Sequence, residues 1–243
     1  MKFLVVLLCI TGCSVARKLP SFIKVCKPKE TDVSECILEN IEIMRSKLAE
    51  KDGVPEMAIP SINPLVIPHA NINLGEFQAQ LENISLYRVQ EFIIKKLKVD
   101  IDTVNIDLKI KFPKIDCLAN YFVKGQLLVL KLDGSGPAQI NITNLIANVV
   151  ALGKKEMVNG KEHVVITSLD IKPEVGHLDL VLDNLFPKNS ELTENANKLL
   201  NDNQNVIVEE FSPLVVNIIK EFLLSVLRNI FKYYSFDVLF PNA

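Results

Sequence analysis

VIVEEFSPLVVNIIKEFLLSVLRNIFKYY, residues Val206–Tyr234, places an apolar side chain every three or four positions for about eight turns. Phe211, Ile218 and Phe222 stand in the middle of that stripe. The apolar arc is broad, so this helix must be enclosed along much of its length. Pro213 lies inside the pattern, and the helix either starts there or bends there. Lys220, Glu221, Arg228 and Lys232 interrupt it, so no run reaches the ~20 apolar residues a membrane span requires.

The material to enclose it lies upstream. From residue 72 to about 183 the hydrophobic period is two. Val104, Ile106, Leu108, Ile110 and Phe112 alternate with Asn105, Asp107, Lys109 and Lys111, which describes a strand with one apolar and one wet face. Phe77, Ala79 and Leu81 repeat the pattern, as do Leu128, Leu130 and Leu132, Ile140 and Ile142, Val165 to Ile171, and Leu178 to Leu182. DGSGP at 133–137 reads as a turn. GKKEMVNGKEH at 153–163 reads as a second, with Asn159-Gly160 as a hairpin signal. Strands joined this way and wet on one face are antiparallel. A slip of phase between Val123 and Leu128 suggests bulges and strong curvature. The fold class that follows is α+β: a long C-terminal helix wrapped by a highly curved antiparallel sheet. A gap between helix and sheet would be an elongated hydrophobic tunnel suited to a lipid-like guest. A solid core satisfies the same periodicity.

The N-terminus sets the compartment. MKFLVVLLCITGCSVA has a basic start, a short apolar run and small residues at its end. Residues 1–16 read as a signal peptide cleaved after Ala16, leaving 17–243 as a single secreted, extracellular domain. Cys9 and Cys13 leave with the peptide. Of the remaining cysteines, Cys26 and Cys36 are the local pair expected to form a disulfide, and Cys117 is expected to be a buried free thiol. Val33, Ile37, Ile41, Met44 and Leu48 mark one face of a helix capped by Thr31 or Asp32 and ended near Gly53. Pro55, Pro60, Pro64 and Pro68 then impose an extended crossing segment.

Other functions lack their residues. The chain carries 27 Lys and Arg against 29 Asp and Glu, so no basic excess attracts nucleic acid. His69, His163 and His177 are scattered, with no metal-ligand spacing. Ser135 lacks the spacing of a nucleophile elbow, so no enzyme and no cofactor are expected. Asn83-Ile-Ser and Asn141-Ile-Thr are glycosylation sequons. The competing function is an extracellular protein that binds membranes or microbial lipid at a surface. It would need a basic patch, and the acidic balance opposes it.

Several segments, in order, resemble the insect takeout / juvenile hormone-binding protein family. They are the Cys26 and Cys36 pair at the head, DGVPEMAIPSINPL (52–65), and FPKIDCLANYFVKGQLLVLKLDGSGP with Pro113, Tyr121, Gly125, Gly134 and Gly136. LDNLF (182–186), LLNDNQ (199–204) and the terminal LFP (239–241) complete the series. A single cysteine pair plus Cys117 resembles the takeout branch; Gln204 stands where the family usually has Trp. The resemblance implies a tunnel holding a small hydrophobic ligand, terpenoid, juvenile hormone-like or fatty acyl. The expected protein is a monomeric carrier with no stable membrane anchor. Expected wall residues are Ile106, Leu108, Ile110, Leu128 and Leu130 on the sheet and Phe211, Ile218 and Phe222 on the helix. The Tyr121 hydroxyl is a candidate contact for the ligand's polar end.

Overall fold

The structure is a computed structural model describing residues 19–242. The proposed signal peptide, with Cys9 and Cys13, lies outside the described residues. An N-terminal arm leads into helix α1 (Val33–Leu48), and a 3-10 turn at Pro55–Met57 precedes the sheet. Strands β1 (Leu65–Leu74), β2 (Phe77–Tyr87), β3 (Ile93–Asp100), β4 (Asn105–Leu127), β5 (Leu130–Val158), β6 (Lys161–Glu174) and β7 (His177–Leu182) follow. Helices α2 (Ser190–Asp202), α3 (Gln204–Tyr233) and α4 (Phe236–Leu239) close the chain.

One antiparallel sheet holds all seven strands. Its path is β1-β2-β4-β5-β6, with β3 also on β4 and β7 also on β5. The long strands β4 and β5 form the spine and change neighbours part-way. β4 pairs β3 through Asn105–Lys111 and β2 through Asp116–Lys124. β5 pairs β7 through Ala138–Thr143 and β6 through Ile146–Val158. Register shifts between Glu82 and Ser85, Ile94 and Lys96, and Leu152 and Gly153 add local twist. The sheet curls about α3 without closing.

Helix α3 has 30 residues, about 45 Å at 1.5 Å per residue. It contains Pro213 rather than starting at it. The proline is exposed, so the Glu209 carbonyl that loses its helical donor faces water. The Asp32 carboxylate accepts from the Ser34 and Glu35 backbone N–H groups, as expected of an N-cap. Cys26 and Cys36 are bonded, S–S 2.02 Å. Lys24 and Asn40 exchange two 2.8 Å hydrogen bonds beside them, so the arm is clipped to α1 twice.

Four sequence expectations change. DGSGP is not a turn: Asp133–Pro137 lies within β5, paired with Asn120–Lys124 of β4. Its glycines serve a close approach instead. A Cβ on Gly134 would sit 2.4 Å from the Leu185 carbonyl oxygen, and one on Gly136 would sit 2.4 Å from that of Asp183. The expected strand at Leu128 is a hairpin tip: Leu127 pairs Leu130, and Leu128 has φ 54. The phase slip after Val123 is therefore this turn, not a bulge. Of the segment 153–163 read as a turn, only Asn159-Gly160 is one, a two-residue hairpin with φ of 50 and 75; Gly153–Val158 belongs to β5 and Lys161–His163 to β6.

Candidate functional site

The space between α3 and the sheet changes character along its length. At the α2 end the inner face is packed shut. Tyr121, Val123, Leu132, Ala138, Leu185 and Leu200 are each 5 % exposed or less and form one cluster with Ile207 of α3. Phe77 and Phe211 meet edge to face at 5.6 Å inside it. The polar groups here are matched to the backbone. The Tyr121 hydroxyl donates to the Asp183 carbonyl at 2.8 Å, and Asn184 Nδ2 donates to the Ser135 carbonyl at 2.9 Å. Asn201 of α2 accepts from Leu180 N–H and donates to its carbonyl, both at 2.8 Å. Asn197 does the same with Leu182 at 3.0 Å, and Gln204 accepts from Leu178 N–H. Residues four apart on a helix rise about 6 Å, close to the ~6.6 Å of two strand residues. The amides therefore act as a substitute strand along the free edge of β7.

Toward the other end the same walls are less covered. On β4, Ile106, Leu108, Ile110 and Phe112 are only half-buried. The stripe on α3 is covered more evenly: Ile207 at one end and Leu224 toward the other are fully buried, and Phe211, Leu214, Ile218, Phe222 and Leu223 are all partly accessible, so the gradient lies on β4. Helix α3 lies alongside β6 over more of its length than any other strand, leaving its other flank less closely backed by the sheet. The core is divided accordingly. Ile106, Leu108 and Ile110 adjoin a cluster of Ala147, Val149, Leu169 and Leu224. Ile110, Phe112 and Phe222 adjoin a second, built on Ile62, Leu65 and Phe92. Ile218 meets a third containing Cys117 and Ala119.

The expected wall residues thus fall into two groups. Tyr121, Leu128, Leu130 and Phe211 belong to the packed end, and the Tyr121 hydroxyl is already engaged. Ile106, Leu108, Ile110, Ile218 and Phe222 belong to the half-covered stretch. Cys117 is free and buried, and burial pushes its thiol up to about 11. Burial likewise raises the Tyr121 hydroxyl to about 12. Asn83 is exposed at the β2 register shift, whereas Asn141 is half-buried in β5 between β4 and β7. Among the described residues no group of three or more His, Cys, Asp or Glu side chains could hold a metal. No described helix is long and apolar enough to cross a membrane.

Two residues escaped the sequence reading. Arg45 lies on the face of α1 that carries Ile41 and Leu48, four and three residues away, and its guanidinium sits 4.3 Å from the centre of the Phe92 ring. Gln90 precedes Phe92 by two residues. Among the described residues, Arg45 Nε and Gln90 Oε1 are buried atoms with no hydrogen-bond partner. A cation interrupting an apolar helical stripe was the available signal for Arg45; Gln90 offered none.

A seven-stranded antiparallel sheet curled about one long C-terminal helix, packed at one end and half-covered along the rest, defines a helix-in-curled-sheet protein. The sequence model described as haemolymph juvenile hormone binding protein (JHBP) matches residues 4–241, and the chain belongs to that family. It is 23 % identical over 237 residues to the circadian clock-controlled protein daywake of Drosophila melanogaster, covering 92 % of this chain and 88 % of that one. Daywake of Drosophila yakuba is also 23 % identical, over 235 residues, with 91 % and 88 % covered. The crystal structure of Epiphyas postvittana Takeout 1 superposes with a TM-score of 0.76 at 20 % identity, covering 86 % of this chain and 97 % of that one.

Proposed function

We propose that this protein is a carrier that binds one small hydrophobic molecule between α3 and the curled sheet. The observation that carries the reading is the burial gradient along β4. Tyr121 and Val123 are 5 % and 3 % exposed, whereas the inward residues from Ile106 to Phe112 are only half-buried. Apolar walls left partly uncovered in this way gain about 25 cal/mol for each Å² that a ligand removes from water. The floor of the site is Ile106, Leu108 and Ile110, its roof Ile218 and Phe222, and the Tyr121 cluster is its closed end. Family membership supports the same reading, since the family description names a hormone-binding protein of haemolymph.

The protein in this reading is a secreted monomer without enzymatic activity, exported by residues 1–16 and active as the single domain 17–243. The disulfide, which suits an oxidising compartment, supports export. Asn83 is the better placed glycan acceptor because its side chain is exposed.

Titration with a fluorescent apolar probe tests the proposal. Saturable binding with one site is expected, and Ile218→Trp, which fills the space from the helix side, should weaken it by at least about tenfold. Unchanged probe affinity in that variant would place binding elsewhere.

A further inference from the structure

We propose that the site ends in a polar subsite made by Arg45 and Gln90, and that its ligand is an amphiphile with a hydroxyl head on an apolar body. The inference rests on the carrier reading above and adds a ligand class to it.

The position of Arg45 is unusual for a surface arginine. Ile41 and Leu48, its neighbours on the helix face, pack with Phe92, Ile110, Phe112 and Phe222 in the cluster that borders the half-covered walls. One terminal nitrogen of Arg45 donates to Glu42 at 2.6 Å, and the side chain is 30 % exposed. The head of the guanidinium therefore reaches water while Nε stays inside without an acceptor. The Phe92 ring attracts the cation but supplies no oxygen acceptor for Nε. Gln90 sits in the Val89–Glu91 turn, which contacts α1. Its neighbours Val89 and Phe92 join the same apolar cluster. Its Oε1 is a buried acceptor without a donor.

Buried polar atoms are almost always matched, and each unmatched one costs stability. Here one orphan donor and one orphan acceptor border the same apolar cluster, on two elements in contact. A hydroxyl complements that pair: it accepts from Arg45 Nε and donates to Gln90 Oε1. An ether or ester oxygen can accept but cannot donate, and it leaves Gln90 unmatched. The remainder of the ligand would run along Phe112 and Phe222, where the apolar walls are half-covered.

The test is displacement of the bound fluorescent probe by dodecanol and by dodecyl methyl ether, which share one tail and differ in the head. The alcohol should compete at least about tenfold more tightly than the ether. That ratio should fall to near one in Gln90→Leu, whereas Arg45→Lys, which keeps the charge but removes the Nε–H that either head accepts from, should weaken both compounds severalfold and keep the ratio. A ratio near one in the unaltered protein, a ratio that survives in folded Gln90→Leu, or unchanged affinities for both compounds in folded Arg45→Lys overturns the subsite. If both compounds displace the probe equally, the carrier reading stands and only the subsite fails. If the protein binds neither probe nor competitor, the carrier reading fails first and the subsite with it. Circular dichroism identifies a variant that has not folded, and the other variant then decides.

Discussion

Tyr121 and Cys117 both stand on the inner face of β4, four residues apart, and both are held by the fold rather than offered to solvent. Tyr121→Phe removes the 2.8 Å bond to the Asp183 carbonyl and should cost about 1 kcal/mol, read as a lowered denaturant midpoint. Affinity for an apolar probe should stay within about twofold; a larger loss would return the hydroxyl to a role in binding. The Cys117 thiol should resist alkylation at mildly alkaline pH in the folded protein and react once the chain is unfolded. Its folded value of about 11 lies above the ordinary 9.0, so the folded state keeps a proton that the unfolded state releases. That contribution to stability is complete below pH 9.0 and is lost as pH rises through about 11. Cys117→Ala should flatten the alkaline fall in stability, and an unchanged slope in that variant would count against it.

Helix α2 and strand β7 depend on one another. Asn201→Ala deletes the two 2.8 Å bonds to Leu180 and should destabilise by roughly 1–3 kcal/mol. Hydrogen exchange at Leu180 N–H should accelerate with it; unaltered protection would show that the amide ladder is incidental. Gly134→Ala should be worse, because a Cβ there meets the Leu185 carbonyl at 2.4 Å and only backbone movement relieves it. The same residues show where the sequence was readable. Strands such as Phe77–Leu81 and Leu178–Leu182, the Asp32 cap and the Asn159-Gly160 hairpin are local consequences of period and turn chemistry. Gly134 and Gly136 misled because their cause is distant: the 183–185 loop crosses β5 there, and no neighbouring residue in sequence reports it. Leu128 misled because a leucine at φ 54 breaks the preference that marks turns.

At the scale of the whole molecule, the decisive property is uneven enclosure. The breadth of the apolar arc on α3 made a wrapping sheet legible from sequence. Whether the wrap is tight was not legible, because a packed wall and a ligand-facing wall use the same side chains. The two strands that switch neighbours part-way explain the difference in physical terms. Where β4 and β5 carry β2 and β7, α2 closes the bottom with its amides. Where they carry β3 and β6, α3 lies toward β6, and the opposite flank, under α1, retains accessible apolar surface. Arg45 and Gln90 became visible only when this geometry set them against that flank.

Native mass spectrometry of the protein purified from expressing cells without denaturation, with solvent extraction of what it releases, tests the central claim most directly. The account predicts one lipid-like molecule per chain, lost on denaturation, with a free hydroxyl on an otherwise apolar skeleton. A protein that arrives bare, and also fails to bind an apolar probe, would show that α3 and the sheet close on each other and that no carrier site exists.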